Sequence, residues 1–455
     1  PDGAGNAPKS AKEIAFTPPV RARMQHTHMD RKVKPWMKLD NAALIYPATM
    51  NRSWTALFRV SATLTEPIDE DILEVAQKRT LRRLPLFSFQ LKRGLFWFYL
   101  ERSDGAPKIQ QDVGNPCVRM RFQDNDGFGF RIRYYQNRIA VEFFHVLTDG
   151  TGGLIFLQTL VAEYLRLRYG AEIPRSGRVL DCTEPPRPEE AEDSFAVHSG
   201  TITQSRREVK AYHISGTDEP DGFIHIITGS MDADRVLQKS REKGVSVTEY
   251  LTAVLILAAD AIQRRYVSRP DRLRPIKICV PINLRKIFPS ETLRNFSNYV
   301  NPGIDPRLGV YTFDETLNIV HHFMAMEVTK KLLNVKITTN VHTERNPMLR
   351  AMPLFIKNTA MRLAYSQVGD AITSTSLSNL GVTELPAEMA AHVRRMDFIL
   401  GPLADNRVCA AALTYNGRLR ISFTRTIREP LLEREFFTRL VKLGIPVKIE
   451  SNQRN

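Results

Sequence analysis

The sequence has few cysteines, and no two of them form a C-x-x-C pair. Cys117, Cys182, Cys279 and Cys409 are isolated along the chain. This pattern argues against a zinc site or a disulfide framework, and a reducing cytosol is the simplest compartment for it. None of the four lies in a recognisable setting for a catalytic nucleophile.

A long apolar run is also missing. The longest such stretch, residues 250–262, is interrupted by Thr252 and Asp260 and is too short to span a bilayer. Residues 1–15 are polar and hold no apolar segment of the kind that a secretory signal needs. We therefore expect a cytoplasmic protein without a transmembrane segment.

Motifs that bind phosphates or metals are absent as well. The chain has no G-x-G-x-x-G, Walker or G-x-S-x-G pattern, and the run Gly150–Gly153 lacks a following lysine, so it is better interpreted as a turn. His26 and His28 have no third ligand nearby. The sequence predicts no metal site.

The chain is long enough for two domains at 455 residues, of which 43% are hydrophobic. Helical and strand patterns alternate through both halves, so we predict an α/β (α+β) fold. We expect a flexible arm over residues 1–30, an N-terminal sub-domain over 31–180, an acidic, proline-rich linker over 181–222 that stays outside the cores, and a C-terminal sub-domain over 223–455.

Several segments predict particular elements. Residues 130–135 and 138–144 are typical of a hairpin, and an apolar run from Leu154 predicts a helix that ends near Gly170. Further signals are two capping boxes, Ser246–Glu249 and Thr312–Glu315, an apolar strand over 276–282, and a hairpin turning at Asn416 and Gly417.

The most informative segment is Phe143–Gly150, a strand that runs into a His-x-x-x-Asp-Gly turn. Residues 138–144 alternate with period two, which predicts a half-buried strand whose parity points His145 inward. A neutral histidine at a strand end, with Asp149 held nearby by a turn, suits general-base chemistry. Ordinary core histidines have the same local pattern, so the wider context decides between the two interpretations.

That context is a set of motifs spread from residue 144 to residue 425. They are residues 144–150, Val280–Arg285, Asn295–Tyr299, Ser378–Gly381 and Thr414–Arg425. With them the chain resembles the acyl-CoA-dependent acyltransferase superfamily, which includes chloramphenicol acetyltransferase and the condensation domains of peptide synthetases. It is most similar to bacterial alcohol-acetyltransferase-like proteins. Phe144 replaces the first histidine of the condensation-domain pair, and the Asp-Phe-Gly-Trp-Gly segment of plant members is absent.

The resemblance implies two chloramphenicol-acetyltransferase-like sub-domains in a pseudo-dimer, with an active-site tunnel between them. It assigns His145 as the general base and Asp149 as a brace that pairs with an arginine, here Arg285. Gly150 lets the backbone turn where a side chain would obstruct it. Ser376, Ser378 and Asn379 are candidates for oxyanion or substrate binding, and nothing in the sequence selects among them.

The expected function is transfer of an acyl group, acetyl in the simplest case, from a CoA thioester to an alcohol, without a cofactor. A carrier-protein-dependent condensation to an ester or amide stays open, as does a non-catalytic relative that binds a ligand or carrier. The formal net charge of +15 would suit CoA phosphates or an acidic carrier protein, or simply a solvated surface. Nucleic-acid binding is not predicted, since no known nucleic-acid motif is present.

Overall fold

The computed structural model describes residues 34–49, 55–204, 208–219, 222–403 and 406–452. The chain divides into two compact units, residues 1–34 and 35–455, and every element below belongs to the second. The predicted flexible arm, residues 1–30, lies outside the described residues.

The helices are numbered in chain order. They are α1 Ile45–Thr49, α2 Glu70–Arg83, α3 Gly150–Tyr169, α4 Ser194–His198, α5 Ala233–Glu242, α6 Val247–Tyr266, α7 Phe313–Glu327, α8 Lys330–Arg345, α9 Pro347–Ala351, α10 Leu354–Val368, α11 Ala387–Ala390 and α12 Leu431–Lys442. Within the described ranges no single helix is long and apolar enough to cross a membrane, while α5 and α6, bent by 84°, meet that test only as a pair.

The strands are numbered in the same way. They are β1 Trp36–Lys38, β2 Leu57–Leu64, β3 Phe89–Arg93, β4 Phe98–Arg102, β5 Gln110–Gln111, β6 Phe130–Tyr135, β7 Arg138–Phe144, β8 His225–Asp232, β9 Ile276–Asn283, β10 Ser297–Val300, β11 Gly303–Ile304, β12 Thr375–Thr383, β13 Val393–Leu400, β14 Val408–Tyr415, β15 Arg418–Arg425 and β16 Lys448–Ser451.

Local sequence signals fix several of these boundaries. Both predicted capping boxes are confirmed: Ser246 and Thr312 accept from the backbone three residues on, and the glutamates there return the bond. Gly170 ends α3 with φ +65°, a left-handed conformation that glycine adopts without steric cost. α6 therefore begins within one turn of the predicted position, and α3 ends at the predicted glycine. The start of α3 differs from the prediction: it begins at Gly150, so residues 150–153, interpreted above as a turn, form its first helical turn, because Asp149 caps the helix there.

Two larger sheets and a small one are formed by the described residues. The N-terminal sheet has the order β13-β2-β7-β6-β5, and the C-terminal sheet has the order β10-β9-β12-β14-β15-β8-β16, with β11 pairing to β9. The small sheet has three strands in the order β1-β4-β3. Most pairs are antiparallel, but β12 runs parallel to both β9 and β14, and β5 runs parallel to β6. The mixed α/β prediction is confirmed.

The prediction that β7 is half-buried is wrong, because both of its faces are covered. Glu142 has no exposed surface, since its carboxylate is paired with two arginines, Arg59 and Arg131. Arg59 also pairs with Asp112. A buried charge persists only when it is paired and hydrogen-bonded, and this cluster provides that pairing. The polar period of β7 therefore marks an internal ion-pair network and not a solvent face.

One strand from the C-terminal part of the chain completes the N-terminal sheet. β13 pairs antiparallel with β2, in a register that joins Val393 to Leu64 and Leu400 to Phe58. Backbone hydrogen bonds thus tie the two halves directly.

The acidic, proline-rich segment does not stay outside the cores, contrary to expectation. Phe195 and Ile214 are buried, and Phe195 packs in a cluster with Phe296 and Leu333. One of its acidic residues, Glu190, is buried because it has a counter-ion: both of its carboxylate oxygens accept hydrogen bonds from Arg83, at 2.7 and 2.8 Å. The composition of the segment does not predict this burial, because the compensating charge, Arg83, lies elsewhere in the chain.

Candidate active site

His145 lies directly after β7, and its ring is held between two aromatic side chains. The ring stacks on Tyr46 with centroids 5.1 Å apart and contacts Phe58 at 4.8 Å. Its backbone N–H donates to the carbonyl of Ala56, 3.0 Å away. Ala56 has φ +49°, a strained conformation for a residue with a Cβ, and such strain occurs at sites where the surroundings fix the backbone.

The Asn295 amide sets the state of the imidazole. Asn295 Nδ2 donates to the His145 carbonyl at 2.8 Å, and its Oδ1 lies 3.3 Å from His145 Nδ1. An amide oxygen only accepts, so in the neutral ring Nδ1 carries the hydrogen. Nε2 then keeps its lone pair, as a general base requires.

Asp40 supports Asn295 from behind. Its Oδ2 accepts from Asn295 Nδ2 at 3.2 Å, and its Oδ1 accepts from the Ala43 backbone at 2.8 Å. Burial raises the pKa of Asp40 to about 6, although nearby Arg294 opposes the shift. The chain His145–Asn295–Asp40 joins a loop of the N-terminal half to the loop before β10.

Burial lowers the pKa of His145, against smaller opposing effects from Asn295, Asp149 and the Thr148 backbone. The charged ring loses more hydration here than its neighbours restore. At neutral pH the imidazole is therefore uncharged. This is the protonation state in which Nε2 can take a proton.

We expect this shift to appear in the pH dependence of any reaction that uses His145 as a base. Since protonation removes the lone pair, kcat/KM should be at its plateau near pH 7 and fall only below the usual histidine pKa of 6.5. Asp40 titrates in the same range, so Asp40→Asn is the control. An acid limb that vanishes in Asp40→Asn would assign the titration to Asp40 instead of His145.

The Asp149 carboxylate has a different task, because other donors occupy both of its oxygens. Oδ1 accepts from the backbones of Thr151 and Gly152, each at 3.1 Å, which caps the N-terminus of α3. Oδ2 accepts from Arg285 Nη1 at 2.8 Å and from the Phe296 backbone at 2.9 Å. The His145 ring is not among these donors.

Arg285 ties three segments together around this carboxylate. Besides Asp149, it donates to the carbonyls of Thr292 and Arg294. Its side chain and that of Asp149 are 11% and 6% exposed, so the ion pair is shielded from water. The pair holds the start of α3 against the loop that carries Asn295, and so it fixes the position of His145 indirectly.

The tightest glycine position in the turn is Gly152 and not Gly150. A Cβ on Gly150 would lie 2.7 Å from Leu380 Cδ2, the end of a flexible side chain. A Cβ on Gly152 would overlap the backbone carbonyl of Leu293 and the hydroxyl of Thr148. At Gly152, α3 and the loop before β10 thus lie too close together to admit a side chain.

We therefore expect Gly152→Ala to be the more damaging of two matched substitutions. Overpacking of this kind costs about 1–3 kcal/mol or more when backbone has to move. Gly150→Ala should cost less, because Leu380 can change rotamer. Urea unfolding of both variants measures the difference, and a larger loss for Gly150→Ala would contradict this account of the turn.

A cavity of about 750 Å³ connects these groups. Its wall takes side chains from both halves, among them Leu39, Tyr46, Trp97, His145 and Thr151 from the N-terminal half and Cys279, Asn283, Lys357, Ser376 and Ser378 from the C-terminal half. Pockets of this size, mostly apolar and with a few placed polar groups, bind small organic ligands. Among the described residues, no group of three or more histidine, cysteine or acidic side chains is placed to hold a metal ion.

Solved structures with the same fold are found over about nine tenths of the chain. No protein-family model and no curated protein sequence matches this chain. The structure of polyketide synthase associated protein 5 from Mycobacterium tuberculosis matches with a TM-score of 0.58 at 14% identity, covering 90% of this chain and 97% of that one. TRI3 trichothecene 15-O-acetyltransferase from Fusarium sporotrichioides matches with a TM-score of 0.58 at 8% identity, covering 90% and 94%.

A third match is the starter condensation domain of rhizomide synthetase in complex with C8-CoA. Its TM-score is 0.55 at 12% identity, and the match covers 90% of this chain and 95% of that one. The chain has the condensation-domain acyltransferase fold. The likeness inferred from the sequence motifs is thereby confirmed for the fold.

Within the condensation-domain fold, β12 carries the three candidate oxyanion residues, and their surroundings differ. The Ser376 hydroxyl is buried without a hydrogen-bond partner among the described residues. Asn379 is engaged, since Nδ2 donates to Thr248 Oγ1 at 3.1 Å and Oδ1 accepts from the Gly381 backbone at 2.9 Å. Ser378 is half-buried on the cavity wall. The two serines are therefore better placed than Asn379 to donate to a ligand.

Three residues of the site had no predicted role. Asn295 belongs to one of the sequence motifs, but nothing in that motif indicates a contact with His145. Asp40 and Tyr46 carry no sequence signal, because only the tertiary packing of the condensation-domain fold brings them to the ring. These contacts could be predicted from the sequence only if the loops that lie next to each other in the fold were already known.

Proposed function

We propose that this protein transfers an acyl group from a thioester to a hydroxyl acceptor, with His145 as the general base and no cofactor. The observation that carries the proposal is the neutral imidazole on a cavity wall, with Nδ1 3.3 Å from the Asn295 amide oxygen, an arrangement in which Nε2 is the ring nitrogen that carries the lone pair. The fold supports it at the level of the reaction class.

In the proposed reaction, Nε2 of His145 takes the proton of the acceptor hydroxyl as its oxygen attacks the thioester carbonyl. A new C–O bond forms, and the carbonyl oxygen becomes an oxyanion. The C–S bond then breaks, and the thiolate leaves with the proton held by the imidazolium. The products are an ester and a free thiol, and His145 returns to its neutral state.

The oxyanion requires a donor, and Ser376 is the best-supported candidate because its buried hydroxyl lacks a partner. We expect Ser376→Ala to lower kcat by roughly 10²-fold with little change in KM, as the loss of one oxyanion donor does. Ser378→Ala is the matched control on the same strand. A wild-type kcat in Ser376→Ala, together with a large loss in Ser378→Ala, would move the role to Ser378.

The donor is either free CoA thioester or a thioester on a carrier protein. Purified protein is to be incubated with acetyl-, butyryl- and octanoyl-CoA, and in parallel with the same acyl groups on a carrier protein, against panels of alcohols and amines. Thiol release above a His145→Ala control supports acyl transfer, and the better donor and acceptor identify the branch. No release above that control with any pair would overturn the proposal.

A further inference from the structure

Lys357 places a buried ammonium on the wall of the cavity that contains His145. The side chain belongs to α10 and is only 4% exposed. The cavity lining includes the apolar side chains of Trp97, Phe98, Leu354 and Met361 and also polar side chains such as Asn358. A buried cation is costly unless something balances its charge.

The protein provides only part of that balance. Nζ donates to the carbonyl of Phe96 at 2.9 Å and lies 3.2 Å from the centroid of the Trp97 ring. An ammonium has three N–H donors, so the Phe96 carbonyl and the Trp97 ring face leave at least one of them without a hydrogen-bond acceptor among the described residues. No carboxylate lies within ion-pair distance of Nζ among the described residues, and Glu344, on the same wall, accepts from Asn41 instead.

A purely structural role does not explain the charge. Lys357 helps to hold the loop between β3 and β4 on α10, but the Leu354 backbone already donates to the Leu95 carbonyl of that loop at 2.9 Å. Burial lowers the pKa of Lys357, because the charged form loses hydration. A neutral side chain of similar length would fill the same space without this cost.

We infer that Lys357 binds a carboxylate of a reactant held in the cavity. The geometry supports this because a buried ammonium on a cavity wall, with an N–H donor that no described carboxylate or carbonyl accepts, suits a charge-assisted hydrogen bond shielded from water. The carboxylate belongs either to the acyl group, as in a dicarboxylic acyl thioester, or to the acceptor, as in a hydroxy acid. This inference rests on the proposed function in one respect: acyl transfer defines the two reactants, donor and acceptor, of which one carries the carboxylate.

Binding tests the inference without any turnover. Octanoate and octanol, which differ in the charged group, are titrated calorimetrically into the wild type, Lys357→Met and Lys331→Met. Lys331 is an exposed lysine of α8 outside the cavity wall, so its replacement removes the same charge. We expect the wild type and Lys331→Met to prefer octanoate by roughly 10–100-fold, and Lys357→Met to lose that preference.

Turnover then identifies which reactant carries the carboxylate. Succinyl-CoA is compared with butyryl-CoA, and ω-hydroxyhexanoate with hexanol, as ratios of kcat/KM in wild type and in Lys357→Met. The pair whose ratio collapses in Lys357→Met contains the recognised carboxylate. Lys357→Arg, which keeps the charge, should retain most of the preference.

The two proposals fail in distinguishable ways. Equal affinity of the wild type for octanoate and octanol would overturn the role of Lys357, even if Lys357→Met were too unstable to assay. An equal loss of both ligands in a folded Lys357→Met would do the same and would leave Lys357 as a structural contact. If octanoate binds through Lys357 but no thioester reacts, acyl transfer fails and the carboxylate site stands.

Discussion

Replacing His145 with alanine is expected to lower turnover by roughly 10²–10⁴-fold, the usual contribution of a positioned general base. Without Nε2 the acceptor hydroxyl keeps its proton as its oxygen approaches the thioester. The donor and acceptor should still enter the cavity, because its aromatic and aliphatic wall is unchanged. The loss should therefore appear in kcat more than in KM.

Folding of His145→Ala should be nearly unchanged. The ring is half-buried between Tyr46 and Phe58, and the Asn295 amide keeps its bonds to the His145 backbone carbonyl and to Asp40. The melting temperature of the variant should lie within a few degrees of that of the wild type. A folded His145→Ala with wild-type turnover would remove the histidine from the chemistry.

Asp149→Ala is expected to cost about 3–5 kcal/mol of stability, because it leaves a shielded guanidinium without its counter-ion. Arg285 would keep its bonds to two backbone carbonyls, but no carboxylate would replace the lost one. The substitution also removes the N-terminal cap of α3. Activity would fall as a consequence of the shifted turn, and the free energy of unfolding measures the primary effect.

Asp149→Asn separates the two losses. Its amide oxygen can still cap α3, whereas the charge opposite Arg285 is gone, so its stability should lie between those of the wild type and Asp149→Ala. A cycle with Arg285→Ala should give a coupling energy well above the few tenths expected for independent sites. A large melting-temperature loss for His145→Ala with none for Asp149→Ala would reverse the two roles.

The sequence predicts most of the elements that position the site. β6 and β7 have the predicted bounds, and α3 and α6 begin within a turn of where their caps and apolar patterns indicate. These signals are local, since capping, turn chemistry and apolar periodicity act within a few residues. The pairing of Arg285 with Asp149 came from the family resemblance, and the structure places the two side chains in contact.

What the sequence does not predict depends on long-range packing. α8 has a weak apolar stripe, and its burial relies on Phe195 from the acidic segment that was expected to remain outside the cores. β13 belongs to the N-terminal sheet although it follows most of the C-terminal half. Asp40 meets Asn295 across 255 positions of sequence, a contact that no local pattern encodes.

The most direct test of general-base catalysis by His145 measures both products of one reaction. With the best thioester and acceptor, thiol and acylated acceptor are quantified together, by absorbance and by mass, for wild type and for His145→Ala of matched melting temperature. If His145 is the general base, the two products form in equal amounts and the rate is roughly 10²–10⁴-fold lower in the variant. Thiol release without acylated acceptor, or acceptor acylated at the wild-type rate by folded His145→Ala, would contradict it.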